Sequence, residues 1–175
     1  MIREVIGDIL ETECKVIAHQ VNCVGVMGSG VARCIKNKWP EIFTGYLDAI
    51  QSLDHECLGR CLILEAAPGK YIANLFGQYF YNGYYKNIED YYKHPYYKRP
   101  GIDSSGKLRF TNYEALFTGL NSLKSEMEKY KVDSVSFPYK IGSDRGGGNW
   151  EIVKTMISEI FKNTDIIVEI RKKED

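Results

Sequence analysis

The chain has 175 residues, 44% of them hydrophobic, and its 23 basic and 23 acidic residues give a formal net charge of zero. That length predicts a single domain, 1–175, large enough for a real core. The balanced charge excludes a broadly basic surface that grips long nucleic acid non-specifically, although local basic patches stay open.

No apolar run approaches a membrane span, and Met1 to Asp8 lacks the apolar core of a signal peptide. The five cysteines, Cys14, Cys23, Cys34, Cys57 and Cys61, form no C-x-x-C pair. These features lead us to expect no membrane, no metal and a reducing, cytoplasmic setting.

In chain order, Arg3 to Ile6 reads as a short strand ending at Gly7-Asp8, and Lys15 to Ala18 reads as the next. The segment that follows carries Gly25, Gly28 and Gly30, then enters a helical pattern from Val31 to Lys38 that stops before Pro40. A strand feeding a glycine-rich turn and a helix start is an anion site. Bare N–H groups and the helix dipole face the ligand there, and glycine lets the backbone approach phosphate oxygens. The Walker pattern and the dinucleotide fingerprint are both absent, which disfavours a nucleotide-triphosphate enzyme and a nicotinamide dehydrogenase. Cys23, inside this loop, has no activating partner in sight and reads as a packed side chain.

A second helix follows Pro40, with Ile42, Phe43, Tyr46, Leu47 and Ile50 at helical spacing. Cys61 to Glu65 and Tyr71 to Phe76 form an antiparallel hairpin around Pro68-Gly69. The stretch at about 78–106 lacks a period. It holds Tyr79, Tyr81, Tyr84, Tyr85, Tyr91, Tyr92, Tyr96 and Tyr97 with Lys86, Lys93, Lys98 and Arg99, and reads as a long ordered excursion beside a cleft. Its tyrosines either stack on a ligand or pack on the body or a second subunit.

Tyr113 to Tyr130 is a long amphipathic helix, Val132 to Phe137 a strand, and Gly142 to Trp150 a second glycine-rich loop. Asn149 caps the last helix, whose apolar face runs from Ile152 to Phe161, and Ile166 to Ile170 is the closing strand. The alternation implies an α/β fold: a three-layer α/β/α sandwich on a mixed, mostly parallel sheet. Two such loops suit two phosphates, or one diphosphate gripped from both sides.

The first loop, Ile72-Ala73-Asn74-Leu75-Phe76-Gly77-Gln78, Tyr113-Glu114-Ala115-Leu116, Phe137 to Gly142 and Gly147 to Trp150 together resemble the macro domain family. The narrower resemblance is to its ADP-ribose 1″-phosphate phosphatase branch, and it covers nearly the whole chain. It implies binding of ADP-ribose or a derivative, no cofactor, and hydrolysis of ADP-ribose 1″-phosphate to ADP-ribose and phosphate. The alternatives it leaves are removal of ADP-ribose from an ADP-ribosylated protein or nucleic acid, and a non-catalytic ADP-ribose reader.

The resemblance also assigns residues. Asp8, with Ile9, matches the adenine-binding position, where a carboxylate accepts from the exocyclic amine; a turn or helix cap is the alternative. Gly28, Ser29, Gly30 and Val31, and Gly142, Ser143, Gly146, Gly147 and Gly148, match the loops holding the diphosphate and distal ribose. Asn22 matches an asparagine at the distal ribose and is counted with the catalytic group, and Phe76 lies near the predicted ribose pocket or in the core. His19 matches a branch histidine suited to proton transfer, against a structural role at a strand end. His55 and His94 match no motif.

One departure is Asp144-Arg145, where relatives carry a glycine and an apolar residue. Arg145 either pairs with Asp144 or contacts phosphate, and Asp144 activates water or forms an outward ion pair. A related group uses a lysine–aspartate pair for covalent chemistry. Its aspartate falls at Gly146, so that mechanism is not supported.

Overall fold

The computed structural model describes residues 2–95 and 101–174, so Tyr96, Tyr97, Lys98 and Arg99 of the excursion lie outside the described residues. Six strands build the main sheet: β1 (Ile2–Ile6), β2 (Val16–Val21), β3 (Cys61–Ala67), β4 (Lys70–Phe76), β7 (Ser134–Pro138) and β8 (Ile167–Lys172). Their order is β1-β8-β7-β2-β4-β3, parallel throughout except that β3 runs antiparallel to β4. A small hairpin pairs β5 (Gly101–Ile102) with β6 (Leu108–Arg109).

The alternation of side chains along each strand sorts the core into two layers. Val16 and Ala18 of β2 face α4 (Tyr113–Lys129) and α5 (Trp150–Phe161), packing with Leu116, Leu120, Val153 and Ile157. Ile17, one residue over, faces α1 (Gly30–Lys38) and α2 (Pro40–Leu53) with Ile35, Ile42 and Ile72. The architecture is the expected three-layer α/β/α sandwich.

Two boundaries differ from the sequence expectation for reasons visible in the hydrogen bonds. β2 does not stop at Ala18 but runs on to Val21, because His19, Gln20 and Val21 pair in register with Asn74, Leu75 and Phe76. The polar pair breaks the apolar run without breaking the ladder. β7 begins at Ser134 rather than Val132, because Lys131 takes a left-handed φ of 54° and the Val132 N–H is used to bond Met127 O at the end of α4.

The excursion is also more ordered than its missing period suggests. It holds the short helix α3 (Ile88–Lys93), and Phe80 is the hub of a ring cluster with Tyr84, Tyr85, Tyr91 and His94 at centroid distances of 4.6–5.6 Å. The Tyr91 hydroxyl accepts from Tyr85 N and Gly83 N. Ring packing replaces periodicity here, and most of these tyrosines serve the body of the protein.

Candidate functional site

A cleft of about 520 Å³ opens at the carboxyl ends of β2 and β7. The helices that follow these neighbouring strands, α1 and α5, lie on opposite faces of the sheet. A crevice at such a switch point is where open α/β sheets bind ligands.

The first loop forms one wall. Asn22 organises it: its Oδ1 accepts from Val24 N (3.1 Å) and Val26 N (3.2 Å), and its Nδ2 donates to Val26 O (2.7 Å). The loop then leads through Gly28 and Ser29 into α1, and Gly28, Ser29, Gly30, Val31 and Ala32 all line the cleft. Ser29 is the N-cap residue, yet its side chain makes no capping bond, and the first turn of α1 carries no acidic residue. The orphan N–H groups and positive end of this helix are therefore left for an anion.

The second loop forms the opposite wall, and it is held differently. Gly146 O accepts from both Phe110 N and Thr111 N at 2.9 Å, while the Thr111 hydroxyl donates to Gly142 O at 2.6 Å. Gln20 Nε2 donates to Thr111 Oγ1 (2.9 Å) and to Gln78 Oε1 (2.6 Å), tying the loop to β2. The helix after this loop is self-capped, because Asn149 Oδ1 accepts from Glu151 N and Ile152 N. Its N-terminus is not offered to a ligand. At Gly146 a Cβ would collide with Thr111 Oγ1 and stand 2.8 Å from Gly142 O. An aspartate in that place does not fit, in keeping with the absence of the lysine–aspartate pair.

The cleft mouth is cationic. Among the described residues, exposed Lys140 and Arg145 line it with one carboxylate, that of exposed Asp144. Among the described residues no ion pair joins Asp144 to Arg145, so the pairing considered from sequence does not form, and both groups face the opening unpaired.

The structure brings His19, Asn22, Asp144, Gly28, Ser29, Gly30, Val31, Gly142, Arg145 and Gly146 to this cleft. His19, however, is sealed within the wall. Asn74 Nδ2 donates to Leu62 O, which turns Oδ1 toward the imidazole, and His19 Nε2 donates to it at 2.8 Å. Nδ1 is buried without a hydrogen-bond partner. Burial pulls the imidazole down to about 4. At neutral pH it is therefore the neutral imidazole, with its Nε2–H given to Asn74. Asn22 also lines the cleft, with its amide engaged in organising its own loop.

Six expected residues do not line the cleft. Asp8 is exposed and caps its own turn, accepting from Leu10 N at 2.9 Å, and Ile9 is buried against Ile17 and Ile35. Phe76 is core, fully buried and stacked on Tyr46 with centroids 5.7 Å apart. The Ser143 hydroxyl turns back to Ile141 O, Gly147 backs onto Leu108 and Arg109, and Gly148 N bonds Gly142 O. The sequence reading in turn missed Gln20, Gln78, Asn82 and Lys140 as lining residues. Gln20 and Lys140 adjoin residues it had singled out, which is the only local signal they carry.

No protein-family model matches the chain. A DNA ADP-ribosyl glycohydrolase of Thermus aquaticus is 28% identical over 165 residues, covering 93% of this chain but 38% of that protein. The chain thus spans little more than a third of this curated relative. An ADP-ribose 1″-phosphate phosphatase of Scheffersomyces stipitis is 30% identical over 95 residues, covering 43% of this chain and 55% of that one. Among solved structures, the macrodomain of Thermus aquaticus DarG superposes with a TM-score of 0.71 at 26% identity, covering 100% of this chain and 99% of that one. The fold is the macrodomain fold.

Proposed function

We propose that the chain binds ADP-ribose and releases it from a carrier macromolecule by hydrolysis at the anomeric carbon of the distal ribose. The observation that carries this reading is the uncapped N-terminus of α1 facing the cleft, together with the exposed cations Lys140 and Arg145 that line it. One helix terminus and two cations suit the two negative charges of a diphosphate. In the chemical step, a water oxygen bonds to C1″ as the bond to the carrier breaks, the bond pair leaving with the carrier atom. Asp144, exposed at the mouth and free of an ion pair, takes the proton of the water. Relatives that cover most of the chain are named for this chemistry on DNA.

The phosphatase reading is second, supported by the partial match to a protein named for that activity. It asks the cleft to hold a terminal phosphate dianion beyond the diphosphate, and the self-capped α5 offers it no helix terminus.

Purified protein is to be incubated with ADP-ribosylated oligonucleotide, ADP-ribosylated protein and ADP-ribose 1″-phosphate in parallel, with free ADP-ribose and inorganic phosphate measured. We expect ADP-ribose from a modified macromolecule, at a rate lowered about 100-fold in Asp144→Asn. Phosphate release alone would replace this reading with the phosphatase, and binding without turnover would leave a reader.

A further inference from the structure

Tyr46 sits in the middle of α2 and looks, by spacing, like one more apolar contact. Its ring is fully buried and stacks on Phe76, but its hydroxyl reaches out of that core to the first loop. It lies 2.7 Å from Asn22 O and 2.9 Å from Asn22 Oδ1, and donates there. Burial pushes the phenol well above its ordinary value, so it stays an O–H donor at all working pH.

Asn22 Oδ1 therefore serves the Tyr46 hydroxyl and the N–H groups of Val24 and Val26 together, while Nδ2 holds Val26 O. The amide is the knot of the turn, and Tyr46 fastens the knot to α2. Val26, Gly28, Ser29 and Gly30, all on the cleft wall, hang from it in sequence.

We infer that Tyr46 is a positioning residue: acting through Asn22, its hydroxyl sets where the first loop presents the N-terminus of α1 to a diphosphate. The inference rests on the ADP-ribose reading for its ligand, but its structural half stands without one. Loop and helix terminus are joined by a few residues, so a shift of the turn moves the N–H groups away from the anion. Loss of one buried hydrogen bond is worth about a factor of ten in an equilibrium constant.

The test is a double-mutant cycle on ADP-ribose affinity, with Tyr46→Phe and Asn22→Ala, read by calorimetry. Tyr46→Phe alone should weaken binding about tenfold. In the Asn22→Ala background the same change should cost about threefold or less, because the hydroxyl then keeps only the backbone oxygen of residue 22 and has lost the side-chain amide it acts through. An equal loss in both backgrounds, or no loss in the first, overturns the inference.

Amide hydrogen exchange in Tyr46→Phe supplies a measurement independent of ligand and of whether Asn22→Ala folds. Exchange at Val24 and Val26 should quicken about tenfold while amides of β8 are unchanged. Unchanged exchange at Val24 and Val26 overturns the inference. Wild-type protein that fails to bind ADP-ribose, with quickened exchange in Tyr46→Phe, overturns the functional reading and leaves the positioning role standing.

Discussion

The two glycine-rich loops look alike as sequences and do opposite things as structures. Each follows a central parallel strand and precedes a helix. The first is knotted on its own asparagine, and its helix begins with a serine that makes no cap. The second is bolted to the Phe110–Thr111 backbone and to Gln20, and its helix begins with an asparagine that caps it fully. One loop leaves its helix terminus free for an anion; the other spends its terminus on stability and serves as a rigid wall.

The strongest way to probe the first loop's floor is pH. The folded pKa of His19, about 4, lies below its ordinary value of 6.5, so the unfolded chain binds the extra proton. The stability from keeping it neutral is complete above pH 6.5 and is lost as pH falls from there toward 4. The full loss is at most about 3 kcal/mol. Denaturant unfolding between pH 7 and 4 should show this slope, and His19→Gln should flatten it. Glu169, held down to about 2 by Arg171, Thr12 and Arg3 against its burial, acts in a lower window, from 4.5 to 2. A turnover profile with an inflection near 6.5 that vanishes in His19→Gln would place the histidine in the chemistry.

Next in size is Gly146→Ala. The second loop has no room for a Cβ against Thr111 and Gly142 O, so the wall must move, at a cost of about 2 kcal/mol. A thermal or denaturant midpoint equal to wild type would show that the wall is softer than its hydrogen bonds imply.

The caps give the smallest effects and the sharpest contrast. Asn149→Ala should cost about 1 kcal/mol of stability, with little change in ADP-ribose affinity. Ser29→Ala, which removes no capping bond, should stay within about 0.5 kcal/mol in stability. Equal costs at the two positions would erase the distinction between the loops.

Much of this was legible in the residues. Pro40 opening a helix, Asn149 capping one and the Pro68-Gly69 turn are local features, and each stands where it was expected. The loops themselves were found from glycine spacing after a strand. The roles of individual side chains were not legible. His19 and Asn22 were assigned to the site by resemblance and Phe76 by its place near the predicted ribose pocket, and each is contacted from elsewhere in the chain, by Asn74 or by Tyr46.

The sequence by itself determined the alternation of strands and helices, the three-layer architecture and the two loops at strand ends, because these follow from hydrophobic period, caps and turn residues acting over a few positions. Only the tertiary structure decided which loop stays open, that His19 is buried, and that the Tyr46 hydroxyl meets Asn22, 24 residues away. Access and protonation depend on partners such as Asn74 for His19 and Thr111 for Gln20, 55 and 91 residues distant, and such partners meet only when the sheet has formed.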